Sequence, residues 1–212
     1  MFKMTGLVWE IIRKLVHLSG LFIIIFYTLL IHVFSEQIAL LAITGLLLLL
    51  LEIEYIRIEH QPKIVNFVKS IFRDHEEDHV AGSVFFVISC IICFAAFDYW
   101  IAVLAMFMTI FGDLVSALVG KSFGVTKIYR NKSVAGTFSG LGANLIVGAL
   151  TLPYLYMIFI PMAFVASFVE MITGKLDDNL TVPLFAGFTG QMLIWIFNIS
   201  LPAPEFSILG FF

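Results

Sequence analysis

Apolar runs long enough to cross a bilayer recur along the whole chain, and no soluble fold buries that many. A transmembrane helix takes about 20 predominantly apolar residues. Runs of that kind lie near residues 16–34, 37–55, 80–97, 99–119, 133–152, 155–173 and 182–200. Of the 212 residues, 61% are hydrophobic and 13% charged, so the spans leave almost nothing for a separate soluble domain. The expectation is an all-α polytopic membrane protein of about seven transmembrane helices, forming a single domain over residues 1–212. Arg13, Lys14 and His17 lead directly into the first run, without the short apolar stretch and small-residue cleavage site of a signal peptide, so that run is read as a retained helix.

Basic residues test the count, because cytoplasmic loops collect Lys and Arg and a wrong number of spans would scatter them over both faces. Lys3, Arg13 and Lys14 precede the first run, and Arg57, Lys63, Lys69 and Arg73 follow the second. Lys121, Lys127, Arg130 and Lys132 follow the fourth, and Lys175 the sixth. All twelve fall on one face of the seven-span arrangement, which puts the N-terminus in the cytoplasm and the C-terminus outside. Between the second and third runs, RIEHQPKIVNFVKSIFRDHEEDH carries Ile58, Ile64, Val65, Val68, Ile71 and Phe72 at helical spacing with bases between them. It reads as an amphipathic helix near 58–73 lying on the cytoplasmic leaflet. The net charge of −3 carries little information here, and nucleic acid is not an expected partner.

An ionisable side chain inside a membrane is costly, which makes each one a functional candidate. Asp113, in MTIFGDLVSALVGKSFG, lies about seven residues before the cytoplasmic end of its run, and Glu170 lies about five before Lys175. Two carboxylates thus enter the bilayer from one side. Beside them, Lys132-Ser133-Val134-Ala135-Gly136-Thr137 opens the fifth run, with Ser133 as N-cap and Gly136 leaving room for close approach of a ligand. A helix N-terminus offers free amides and a favourable dipole to an anion. Lys121, Lys127, Arg130 and Lys132, with Gly120 and Gly124 in the same loop, suit a polyphosphate, although such bases also serve as ordinary positive-inside anchors. Asp177, Asp178 and Asn179 face the same side. With Asp113 and Glu170 they make a set of hard oxygen donors next to a phosphate site, which points to Mg²⁺.

Two other signals compete. His75-Glu76-Glu77-Asp78-His79 matches the H-E-x-x-H pattern of zinc proteases, but in a highly charged interfacial segment and with no evident third ligand. Cys90 and Cys93 form a C-x-x-C inside an apolar run, where thiols serve as small hydrophobes.

Four segments resemble the CTP-dependent lipid kinases, the family of dolichol kinase, phytol kinase and the CTP-dependent diacylglycerol kinase. Arg13-Lys14-x-x-His17 resembles the family's R-K-x-x-H opening. Gly112-Asp113 through Gly120-Lys121-Ser122-Phe123-Gly124 resembles its G-D-x-x-A-x-x-x-G-x-x-F-G segment, with Ser116 in place of Ala. Asn131-Lys132-Ser133-Val134-Ala135-Gly136-Thr137 resembles N-K-S-x-x-G-[ST], and Glu170 with Asp177-Asp178-Asn179-Leu180-Thr181-Val182-Pro183 resembles E…D-N-x-x-[IV]-P. The resemblance implies transfer of the γ-phosphoryl group of CTP to the hydroxyl of a membrane lipid alcohol, a polyprenol, phytol or diacylglycerol. Asp113 then serves as metal ligand or proton acceptor, Lys132 and the nearby bases hold phosphates, and Glu170, Asp177 and Asp178 coordinate or support Mg²⁺. The alternatives are a lipid-phosphate cytidylyltransferase and a transporter. A transporter places polar groups near the midplane along a path through both faces, whereas here the ionisable groups cluster in the cytoplasmic half, with Asn144 and Gln191 as the strongly polar midspan side chains.

Overall fold

A computed structural model of the protein describes residues 18–60, 80–129, 132–174, 176–202 and 204. Among these residues are seven α-helices. They are α1 (Gly20–Val33), α2 (Glu36–His60), α3 (Gly82–Ala96), α4 (Tyr99–Phe123), α5 (Val134–Thr151), α6 (Tyr156–Ile172) and α7 (Asp178–Phe197). A small antiparallel hairpin, β1 (Lys127–Tyr129) and β2 (Lys132–Ser133), interrupts the helices, pairing Lys127 with Ser133 and Tyr129 with Lys132. By length and composition, α2, α4, α5 and α7 are long and apolar enough to cross a membrane, while α1, α3 and α6 are apolar but shorter, at 14, 15 and 17 residues.

Several boundaries differ from the sequence reading. Helix α2 continues to His60, through the first residues of the expected interfacial helix; the rest of that segment lies outside the described residues. Helix α4 runs on to Phe123, and α7 begins at Asp178 rather than 182. Hydropathy marks where the bilayer stops, whereas backbone hydrogen bonding decides where a helix stops. The stretches 120–132 and 174–181, which fall between the apolar runs, therefore hold helix ends and the hairpin.

The surface is the reverse of a soluble protein's. Phe22, Leu41, Leu48, Leu49, Ile146, Leu150, Phe168 and Trp195 are exposed, while Ser89, Thr109, Asn144, Ser167 and Gln191 are buried. An apolar exterior with hydrogen-bonded polar groups inside is what hydrocarbon solvent favours, and among the described residues Asn144 Oδ1 is the buried side-chain atom left without a partner. Ser89 donates to Phe86 O and Thr109 to Ala105 O, and Asn144 Nδ2 donates to Ser167 Oγ at 3.0 Å across α5 and α6.

Helix α4 is the axis of the bundle and packs most extensively on α5. Small residues four apart line both faces of this contact, Gly112, Ser116 and Gly120 on α4, Gly136 and Gly140 on α5. A Cβ built at Gly136 would stand 2.7 Å from the Ser116 carbonyl oxygen and 3.1 Å from Gly120 Cα. Two helices without intervening side chains come within van der Waals reach of each other's backbone, the usual way membrane helices gain packing energy.

The two ends of the bundle are pinned differently. At one, Glu54 Oε2 accepts from the Ala81 amide at 3.1 Å and from Arg57 Nη2 at 2.6 Å, tying α2 to the start of α3. At the other, Gln191 and Asp98 clasp each other. The Asp98 amide donates to Gln191 Oε1 at 2.7 Å and Gln191 Nε2 donates to Asp98 Oδ2 at 2.8 Å. Gln191 therefore sits level with the start of α4, not at mid-depth as its place in the apolar run implied. Its amide does the work of an absent side-chain cap on that helix.

Candidate active site

Where α4 ends and α5 begins, the backbone closes on itself. Gly124 lies beyond the last turn of α4, and a Cβ there would strike the Gly120 carbonyl and the Ser133 side chain. Ser133 is the N-cap of α5, as its position before the apolar run predicts, and its hydroxyl accepts from the Gly136 amide at 3.1 Å. The Val134 amide donates to Thr126 O at 3.0 Å. Two amides of the first turn, expected to be open to an anion, are thus bonded already. Gly120, Gly124 and Gly136 give room to neighbouring protein rather than to a ligand, which corrects the reading of Gly136. Thr137 follows in the same turn, half-buried.

This closure sets Lys132 over the ends of α6 and α7. Its Nζ donates to Glu170 Oε1 at 3.2 Å and lies 3.9 Å from Asp178 Oδ2. Glu170, two residues from the end of α6, is buried and accepts a second hydrogen bond on the same oxygen from the Ser116 hydroxyl. Asp113 is buried one turn of α4 from Ser116 and adds its charge to the field at Lys132. Burial, the largest single influence on Lys132, lowers its pKa. Glu170, Asp178 and Asp113, with the hydrogen bond that Lys132 donates to Glu170, outweigh burial and hold the ammonium above its ordinary range. Because α4 extends to Phe123, Asp113 lies ten residues from its end, about 15 Å along the axis at a rise of about 1.5 Å per residue.

The structure brings together residues from three distant segments: Asp113 and Ser116 from α4, Lys132 and Ser133 from the hairpin, Glu170 and Asp178 from α6 and α7. Asp177 uses Oδ1 to cap α7, accepting from the Asn179 amide at 2.9 Å, and Asn179 is buried. Lys121 is exposed on the last turn of α4 and Lys127 is exposed on β1. Gly112 packs against Asn144. Arg13, Lys14, His17, Arg130, Lys175 and the His75–His79 pattern lie outside the described residues.

Among the described residues, no group of three or more His, Cys, Asp or Glu side chains is arranged to hold a metal ion by itself. Mg²⁺, however, is commonly held by one or two carboxylates together with substrate phosphates. Glu170 and Asp178 already share one cation, the Lys132 ammonium. Two hard oxygen donors with a cation between them fit that mode of binding.

The fold and this cluster define a helical membrane protein with a largely buried group of charged side chains at one end of its bundle. Comparison with known proteins gives a consistent result. Over 139 residues the chain is 32% identical to phytol kinase 1, chloroplastic, of Arabidopsis thaliana, a match covering 55% of this chain and 45% of that kinase. The similarity relates the chain to that lipid kinase, and the match takes in less than half of the relative's length. No family model matches the chain, and no solved structure matches it.

Proposed function

We propose that the chain is a CTP-dependent kinase that transfers the γ-phosphoryl group to the hydroxyl of a membrane lipid alcohol, a polyprenol, phytol or diacylglycerol, at the cytoplasmic end of the bundle. The observation that carries this reading is the convergence of Lys132, Glu170, Asp178 and Asp113 at the start of α5. The partial identity to a phytol kinase supports it. Phosphoryl transfer asks for positioning and charge neutralisation more than for covalent chemistry. In this scheme Lys132 leaves part of its carboxylate partnership to meet the phosphates, with Lys121, Lys127 and Arg130 raising the local nucleotide concentration. Asp113 accepts the proton of the lipid hydroxyl, which arrives sideways between helices at its depth. Bound Mg²⁺, held by Glu170 and Asp178 with the phosphates, would neutralise charge on the transferring group.

The test is product analysis. Purified protein with Mg²⁺, CTP and a panel of lipid alcohols is expected to release CDP and leave one phosphate on the lipid, and to keep its activity under a zinc-selective chelator. Pyrophosphate release with CMP left on a lipid phosphate identifies a cytidylyltransferase instead, and no nucleotide consumption with any lipid rejects both.

Seven spans with the N-terminus inside complete the proposal, and orientation has its own test. Lys127 on β1 and Tyr154 in the α5–α6 turn are exposed at opposite ends of α5, and the native Cys90 and Cys93 are fully buried. On intact cells a membrane-impermeant maleimide is expected to label Tyr154→Cys at once and Lys127→Cys only after permeabilisation. The reverse pattern inverts the topology.

A further inference from the structure

We propose that Ser116 is a positioning residue, whose hydroxyl fixes Glu170 and through it the place of the Lys132 ammonium. This rests on the phosphotransfer reading above for its catalytic meaning, but its structural basis is independent of it.

Ser116 is buried at the α4–α5 contact, where a Cβ built on Gly140 would stand 3.0 Å from the Ser116 Cβ. The side chain is clasped against the facing backbone. A hydroxyl has one proton to donate. Here it goes to Glu170 Oε1 on a different helix, with the Asp113 carbonyl at a weaker 3.4 Å. A serine or threonine in an apolar helix ordinarily bonds its own backbone, as Thr28, Thr44 and Thr109 do to the carbonyls four residues back. Ser116 departs from that habit where the buried carboxylate of Glu170 lies opposite.

The same oxygen, Oε1, also accepts from Lys132. A carboxylate held by a single donor swings about that bond. Held at one oxygen by two donors from different elements, it has that oxygen fixed in place and presents a fixed point of charge to Lys132. The hydroxyl carries no charge of its own, but its hydrogen bond favours the ionised carboxylate, so its loss both frees Glu170 and weakens the hold of Glu170 on Lys132. The consequence falls on where the ammonium waits for phosphate, and so on nucleotide binding.

The experiment uses the full chain in detergent, with Ser116→Ala, Glu170→Gln and the double variant. The first readout needs no activity. Acetylation of Lys132 by acetic anhydride, normalised to the exposed Lys127 by mass spectrometry, is expected to rise about tenfold in Ser116→Ala, the scale of a lost hydrogen bond to a charged group. The second is additivity: the double variant is expected to match Glu170→Gln alone, because Ser116 acts through Glu170. In turnover, Ser116→Ala is expected to raise the CTP KM while keeping most of kcat, and Ser116→Cys, a similar shape with a weaker donor, to fall between. Unchanged Lys132 reactivity in Ser116→Ala, or effects of the two substitutions that multiply independently, overturns the proposal. If reactivity responds but no lipid alcohol is phosphorylated, the kinase reading fails and the placement of Lys132 by Ser116 stands.

Discussion

Asp113→Asn is expected to yield a folded protein whose turnover is lower by about a thousandfold. The substitution keeps size and shape on a buried stretch of the central helix, so the packing of α4 is preserved. It removes a charge that contributes to the field at Lys132 and, in the proposed reaction, the acceptor of the hydroxyl proton. General-base assistance is worth roughly 10²–10⁴ in rate. A thousandfold loss corresponds to about 4 kcal/mol of barrier. The measurement is kcat of the purified variant beside its thermal unfolding in the same detergent. Turnover within tenfold of wild type at an unchanged Tm strips Asp113 of the role.

Gly136→Val is expected to destabilise the fold by about 3 kcal/mol or more, toward the upper end of what overpacking costs. The added Cβ meets a carbonyl oxygen and a Cα of α4, and neither can rotate away as a side-chain tip would. The control lies on the same helix. A Cβ at Gly142 meets nothing within 4 Å, so Gly142→Ala is expected to be neutral or to stabilise by up to about 1 kcal/mol through helix propensity alone. Melting curves for the pair decide the matter. If Gly136→Val melts with wild type, the close approach of α4 and α5 is not required.

What the sequence made legible follows from what is expensive in a membrane. Runs such as 37–55 have nowhere to go but lipid, and a carboxylate at Asp113 or Glu170 must have partners. Both therefore stood out from composition and position alone. The cap at Ser133 was visible because capping is a local matter of residue type and spacing. The hairpin was not, since strands of three and two residues carry no periodicity. Ser116 was read as one small residue standing for another, because its partner lies 54 residues away in sequence and nothing local announces it. Gly136 was assigned to a ligand for a similar reason. A glycine marks a close approach, but sequence does not say whether a substrate or a neighbouring helix is what approaches. Gln191 looked like a mid-depth polar group until its clasp with Asp98 placed it.

That clasp also dictates an order of events during synthesis. Asp98 leaves the ribosome 93 residues before Gln191, which at roughly 5–20 residues per second is a wait on the order of 5–20 s. Throughout that interval the central helix has its start unfastened, and for most of it the strand of chain carrying Glu170 and Asp178 has yet to arrive beside Lys132. The nascent protein therefore passes through a stage in which its first helices are inserted while its most polar residues are still unmatched. It is α7 that fastens the far end and, together with α6, closes the near one.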